Sequence, residues 1–402
     1  MTRLKKEVVF FDAKATGHHG EYFENIIFGL PKENAINSVI VCHPLLGNRL
    51  NQCKLLIGSP IQIKQLANSE IRYIESAKNV IQRGRRELKI LQGHLSKASA
   101  TYLVLMSMNI HQLALSNWKY SKKNPITICG ILFNPLNPPE RKTSRSNKII
   151  TSFMRLRKKL QIFLLLRNKS IKSVFILNDR DAVDYMNSWS FSRNVFRFLI
   201  DPIPAGMGSI QVSKEKPKSN KQFNFIMVGA ISPRKGCLEV IKAFKHINLQ
   251  EGKTVSLRLL GAFSKEYPEY PKLITSEIEA LKLARSDVRI EMQNRFIDNQ
   301  AFCQEISYSD CVLAPYINFY GSSGMIGHAC RYGKPLLVSY DGLIGEIVRD
   351  NKLGLCVDPQ DIKALSLALE AIISLNFEYS KQNAKAYFED ASHFQFVRNL
   401  IK

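Results

Sequence analysis

Acid is what this chain has least of. Its 402 residues hold 34 Asp and Glu against 57 Lys and Arg, a formal net charge of +23. The deficit sits in the first half. Residues 1–205 carry 13 acidic and 32 basic side chains, a net +19, whereas residues 206–402 carry 21 and 25, a net +4. Such asymmetry points to a polyanionic partner for the first half: nucleic acid, a phosphorylated glycan or an anionic membrane. Long apolar runs are also missing. IFLLL at 162–166 is the nearest approach and falls far short of a membrane span. The apolar run after the basic start MTRLKK ends at Asp12, which suits a first strand and is too short for a secretory signal. The eight cysteines (42, 53, 129, 237, 303, 311, 330, 356) form no CxxC pair, so neither a zinc site nor a disulfide frame is expected. They read as buried thiols of a reducing compartment, and a cytoplasmic protein is expected. There is no repeat of 20–50 residues and no DxD-like metal motif in a suitable loop.

What is present is a length suited to two domains and an alternation of strands with helices. In the second half, strands are expected at 223–230, 255–263, 288–297, 311–316, 334–340 and 354–359. Helices are expected at 237–247, 270–285, 299–310, 343–350 and 361–374. The apolar strand cores argue for doubly wound parallel sheets covered on both faces. The first half is noisier, with strands expected at 7–12, 37–42, 101–106, 125–131, 173–178 and 196–200, and one long helix over 66–92. The polar stretch AGMGSIQVSKEKPKSNKQ (205–222) is the interdomain linker.

Three loops follow strands and hold glycine with polar residues: TGHHGEY (16–22), SPRKG (232–236) and YGSSG (320–324). Free amides at a helix start, glycine that lets a ligand near the backbone, and serine hydroxyls together form an anion site. The plain alternative for YGSSG is an N-cap and a turn. In open α/β sheets ligands bind beyond the carboxyl ends of the strands, where all three loops are expected to lie.

Over 223–375 the chain resembles the GT-B glycosyltransferases, closest to the group-1, family-4 (GT4-like) enzymes that use nucleotide-sugar donors. The resemblance is carried by FIMVGAISPRKGCLEVIKAF, DCVLAPYINFYGSSGMIGHACRYGKPLLVSYDGLIGEIV and LGLCVDPQD. GHHGEYFENI and DPIP (201–204) carry it more weakly in the first half. It implies an α/β fold of two Rossmann-like doubly wound parallel-sheet domains facing across a cleft. The acceptor-binding domain would span 1–205, the linker 206–222 and the donor-binding domain 223–402. Lys235 matches the lysine that binds the donor diphosphate. The arginine usual five positions earlier is Ala230 here; Arg234 offers a planar fork in its place, or is an exposed turn charge. Gly321, Ser322, Ser323 and Gly324 complete the expected diphosphate cradle.

Two glutamates that such enzymes carry eight positions apart fall on Tyr320 and His328. These two, with Arg295 and Phe296, are the nucleoside-binding candidates, and a packed helix residue is the other reading of His328. Glu346 stands where many relatives have a glutamate, or caps its helix. The acceptor-side loop comprises Gly17, His18 and Gly20. His111, Glu21 and His19 are the catalytic candidates, with His18 a fourth choice for any base; each histidine reads equally as a solvated loop residue. The resemblance implies retention at the anomeric centre, a hexosyl-type transfer without metal, and no cofactor beyond the nucleotide sugar as co-substrate. A glycan or lipid-linked acceptor in cell-surface polysaccharide synthesis is the expected partner.

Segment 141–172 holds eleven Lys and Arg and no acid, with Ile149, Phe153, Leu156, Leu160 and Phe163 at helical spacing. It reads as a basic amphipathic helix on an anionic membrane, at the inner face of the cytoplasmic membrane, or as an ordinary cover helix with a solvated basic face. A nucleotide-sugar epimerase of the same fold and a non-catalytic nucleotide or nucleic-acid binder are the competing functions. The first needs carboxylates that YGSSG lacks. Nucleic acid is not expected as a partner, because no nucleic-acid motif or aromatic interleaving accompanies the charge.

Overall fold

The structure is a computed structural model that describes residues 7–15, 19–30, 36–52, 61–98, 100–120, 125–133, 135, 148–204 and 222–402. The chain forms two compact units, Met1–Ala205 with Ser392–Lys402, and Gly206–Ala391. The expected second domain, 223–402, therefore ends too late, since its last eleven residues group with the first unit. The expected linker lies outside the described residues except for Gln222.

The first unit contains β1 (Glu7–Asp12), α1 (His19–Gly29), β2 (Asn37–Cys42), α2 (Pro44–Asn51), β3 (Ile61–Gln65), α3 (Asn68–Glu75) and α4 (Val80–Ala98). It continues with β4 (Tyr102–Leu105), α5 (Gln112–Leu115), β5 (Thr127–Ile131), α6 (Lys148–Leu166), β6 (Ile171–Leu177), α7 (Arg180–Asn187) and β7 (Phe196–Leu199). All seven strands pair in parallel, in the order β3-β2-β1-β4-β5-β6-β7. Successive side chains of a strand point to opposite faces. Val9 and Phe11 of β1 enter one core and Val8 and Phe10 the other, so both faces are buried and the strand is apolar throughout.

Two first-half expectations need correction. The single helix over 66–92 is two helices, because Asn79 starts a new one: its Oδ1 accepts the Gln82 amide at 2.9 Å, while Gln82 Oε1 accepts the Lys78 amide at 2.6 Å. The edge strand β3, IQIKQ, was not expected. Its outer positions face solvent, so it lacks the apolar run of its neighbours.

The second unit contains β8 (Gln222–Val228), a 3-10 turn (Pro233–Lys235), α8 (Cys237–Phe244), β9 (Thr254–Leu260), α9 (Tyr270–Ala284), β10 (Val288–Gln293) and α10 (Asn299–Tyr308). There follow β11 (Cys311–Ala314), α11 (Met325–Arg331), β12 (Leu336–Ser339), α12 (Gly342–Asp350), β13 (Gly354–Val357), α13 (Ile362–Ile373) and α14 (Lys381–Asp390). Its sheet is again parallel, in the order β10-β9-β8-β11-β12-β13, and all six strands fall where the sequence predicts them. The two-unit α/β fold is thus as expected.

The last helix, α15 (His393–Ile401), returns to the first unit. Phe396, Val397 and Leu400 join the core beneath α1, and the Phe396 ring stacks on Tyr22 at 5.7 Å. Tyr22 in turn donates its hydroxyl to Asp201 Oδ1 at 2.7 Å, which ties α1 to the DPIP segment. Burial first, and the Asp201 charge second, push the Tyr22 phenol well above its usual range, so it stays a donor. Phe396→Ala is expected to destabilise the first unit by about 3–5 kcal/mol, the range for emptying a buried aromatic site. Urea unfolding reads the loss, and amide exchange in α1 should quicken; unchanged protection in α1 would show that α15 contributes nothing there.

Candidate functional site

In the second sheet the chain winds outward from β8 through β9 to β10, then crosses to the other side of β8 to make β11. The loops leaving β8 and β11 therefore part at the switch point, which opens a crevice at the carboxyl ends of the strands. Backbone geometry holds these loops together. Gly236 adopts φ +72, and a Cβ there would strike the Pro315 carbonyl, so no other residue fits without strain. One step on, the Ile317 amide donates to the Arg234 carbonyl at 2.8 Å. The loop after β12 is docked in the same way. Gly342 has φ +81 and packs against Phe319 and Tyr320, while the Leu343 amide donates to the Tyr320 carbonyl at 3.1 Å.

Upon this frame the side chains gather. The half-buried Lys235 donates from Nζ to the Tyr316 hydroxyl at 2.9 Å and lies 4.1 Å from that ring's centroid. Tyr316 is buried and meets Phe319 edge-on at 5.2 Å. The exposed Arg234 guanidinium lies 5.1 Å from the Phe319 centroid and 5.7 Å from that of Tyr316, within cation–π range. Ser323 Oγ is 3.3 Å from the Tyr316 hydroxyl and accepts the Met325 amide, also at 3.3 Å. The turn reading of YGSSG is thus real, but the same serine also belongs to a polar cluster with Lys235. Gly321 and Ser322 are half-buried and Gly324 exposed beside it. Gly229, Ala230, Lys235, Cys237 and Tyr316 line a small crevice here. Burial pushes the Cys237 thiol up to about 12 despite the opposing Lys235 charge, so it is a packing group.

The structure brings together Arg234, Lys235 and Ser323, with Ser322 alongside. The others are spread out. Tyr320 supports α12 through its carbonyl, and Glu346 lies one turn inside that helix. His328 is buried in α11 with its ring edge-on to Phe302 at 4.8 Å, packed as a helix residue. Arg295 and Phe296 are exposed after β10, two strands from β8, and Arg295 Nε donates to Gln293 Oε1 at 3.1 Å. Tyr316 and Phe319 were missed by sequence reasoning. An aromatic pair just past a strand reads as core, and only the docking of the two loops sets them under the cations.

In the first unit, Gly17 and His18 lie outside the described residues. His19 opens α1, Glu21 is half-buried in its first turn, and Gly20 packs closely on Leu46 and Arg49. His111 requires correction as a catalytic base. It is buried, with Nδ1 at 2.9 Å from the Ser107 carbonyl and Nε2 at 2.9 Å from Glu87 Oε2. Both ring nitrogens are engaged by groups of the first unit, so neither is left to take a proton from a substrate. Arg83 completes the cluster with a 2.9 Å bond to Glu87 Oε1. Among the described residues no group of three or more His, Cys, Asp and Glu could hold a metal ion, and no helix is long and apolar enough to cross a membrane. The seven described cysteines are free thiols, six of them buried.

Comparison with known proteins bears out the resemblance. Residues 209–388 match the family described as glycosyl transferases group 1. WaaB, a lipopolysaccharide outer core galactosyltransferase in apo form, is 15% identical with a TM-score of 0.62, covering 98% of this chain and 99% of its own. HepE of Anabaena in complex with UDP and glucose is 14% identical with a TM-score of 0.56, covering 98% of each chain. WaaG, a glycosyltransferase involved in lipopolysaccharide biosynthesis, is 14% identical with a TM-score of 0.52, covering 98% and 97%. At these identities the likeness is one of fold. No curated protein matches the chain.

The buried cluster in the first unit sets a pH dependence. Burial pushes the Glu87 carboxyl up, but the hydrogen bonds and charges of His111 and Arg83 outweigh it and hold the group below its ordinary 4.5. A carboxylate lowered in the folded state adds stability above its unfolded pKa, and that stability is lost as pH falls through the folded one. Unfolding in urea should therefore show a loss below about pH 4.5 in wild type. Glu87→Gln should cost roughly 3–5 kcal/mol at neutral pH, as for breaking a buried ion pair, and flatten the acid limb. An acid limb identical in both proteins would remove Glu87 from the account.

Proposed function

We propose that this chain, whose second unit carries a group-1 glycosyl transferase domain, moves a sugar from a nucleoside-diphosphate sugar to a glycan or lipid-linked acceptor. The observation that carries the reading is the gathering of Arg234, Lys235 and Ser323 at the sheet's switch point. Two cations and a hydroxyl at that place suit a diphosphate. When the bond from the anomeric carbon to the diphosphate oxygen breaks, the electron pair stays on the leaving diphosphate. Lys235 and Arg234 meet the growing charge, with no metal required for that role. Arg295 and the exposed Phe296 ring are the groups offered to the nucleoside. With both nitrogens of His111 engaged, Glu21 and His19 are the acceptor-side groups of the first unit, and retention is the course the resemblance implies. The UDP and glucose held by HepE support a nucleotide-sugar donor, and the lipopolysaccharide roles of WaaG and WaaB support an envelope glycan as acceptor.

The acceptor is met at an anionic membrane. In α6, Ile162, Leu165 and Leu166 enter the core, as in any cover helix. Yet Phe153 and Leu156 are each 67% exposed and Leu160 56% exposed, between Arg155, Arg157, Lys158 and Lys159. The outward face is therefore apolar as well as basic, the pattern of a helix that lies in a lipid headgroup layer. Burial, aided by the neighbouring Arg157, lowers the Lys158 ammonium below its usual value. An anionic surface would relieve such crowding.

Two measurements test these readings. Lys235→Ala and Ser323→Ala should each weaken binding of a nucleoside diphosphate by about 1–3 kcal/mol, as read by calorimetry on folded protein; unchanged affinity in both would sink the donor site. Charge reversal at Arg155, Arg157, Lys158 and Lys159 should abolish sedimentation with anionic vesicles at low salt while nucleotide affinity holds. Wild-type protein that ignores such vesicles would return α6 to the role of a solvated cover helix.

A further inference from the structure

The polar cluster at the switch point has a direction. An ammonium only donates, so at 2.9 Å Lys235 Nζ gives a hydrogen to the Tyr316 oxygen. The next link, 3.3 Å from Tyr316 to Ser323 Oγ, could run either way on distance alone. Chemistry decides it. A phenol is a stronger donor than an alkyl hydroxyl, and a cation donating to its oxygen polarises the O–H further. Ser323 Oγ already accepts the Met325 amide, and accepting from Tyr316 fills its second lone pair. The serine's own hydrogen is then left to point away, as are two of the three ammonium hydrogens.

We propose that Tyr316 is a positioning residue, which sets Lys235 and Ser323 as paired donors to one phosphate group of the donor diphosphate. This rests on the nucleotide-sugar reading above. Tyr316 suits the task because it cannot follow the ligand. Its ring is buried, lies edge-on to Phe319 and sits beneath the Lys235 ammonium. A donor pair fixed before the ligand arrives loses little freedom on binding and needs no reorganisation as charge grows on the leaving group. The rival role is competition, in which the tyrosine oxygen occupies a lysine hydrogen that the phosphate needs. The two roles predict opposite signs.

Tyr316→Phe keeps the ring and removes the hydroxyl. Wild type, Tyr316→Phe, Ser323→Ala and the double variant would be titrated with UDP, GDP and ADP by calorimetry. For whichever nucleotide the wild type binds, each single variant should lose about tenfold in affinity, near the worth of one hydrogen bond to a charged group. The double variant should lose well under the product of the two, because both residues serve one chain. At saturation the β-phosphorus resonance should move in Tyr316→Phe, which a mere packing role would not cause. Affinity unchanged or tightened in Tyr316→Phe, or losses that simply multiply, would overturn the proposal. Wild-type protein that binds none of the three would overturn the donor reading itself, and this inference with it.

Discussion

Everything at the switch-point crevice depends on one close approach, that of Gly236 to the Pro315 carbonyl. A residue with a Cβ would push the loop after β8 away from the loop after β11, and its φ of +72 is costly for any side chain. The approach places Lys235 within hydrogen-bond reach of Tyr316 and lets the Ile317 amide close on the Arg234 carbonyl. Gly342 performs the same service for the loop after β12. Short loops clipped backbone to backbone hold side chains more firmly than long ones, and such firmness is what an electrostatic site requires.

Much of the fold was legible because both sheets are parallel and covered on both faces. A strand such as FNFIMV sends Phe225 and Met227 into one core and Ile226 and Val228 into the other, so its apolar run stands out in the sequence. Legibility failed where that condition failed. IQIKQ is an edge strand with one wet side. The Asn79 cap is a two-residue signal inside an otherwise helical stretch. α15 is amphipathic, but nothing local shows that its apolar face belongs to the unit at the other end of the chain.

The candidate site was legible to a different depth. Lys235 and Ser323 stand in patterned loops that the sequence singles out, and the structure sets them in one polar cluster. Tyr316 was hidden, since what draws it into the cluster is a contact with a residue 81 positions earlier in the chain. His111 misled for the mirror-image reason. A histidine after a central strand looks free until Glu87, 24 positions earlier on α4, proves to hold it. Pairings of this kind are properties of the fold, and a single chain of letters does not display them.

The resemblance implies two carboxylates where this chain has Tyr320 and His328, and on the proposed donor reading that difference has an electrostatic consequence. An anion about 6 Å from an ammonium offsets roughly 3 kcal/mol of its potential at an effective dielectric near 20. With Tyr320 and His328 in those places, no such offset acts from there on Lys235 and Arg234, and on the proposed donor reading the crevice would be the more attractive to a phosphate. On the same reading the cost would fall on the hydroxyls of sugar and ribose, which would lose a strong acceptor. Neutral groups would then have to supply recognition, and the turn beside the cations offers Ser322 and Ser323. The chain's shortage of acid, plain in its composition, thus recurs at the scale of a single site.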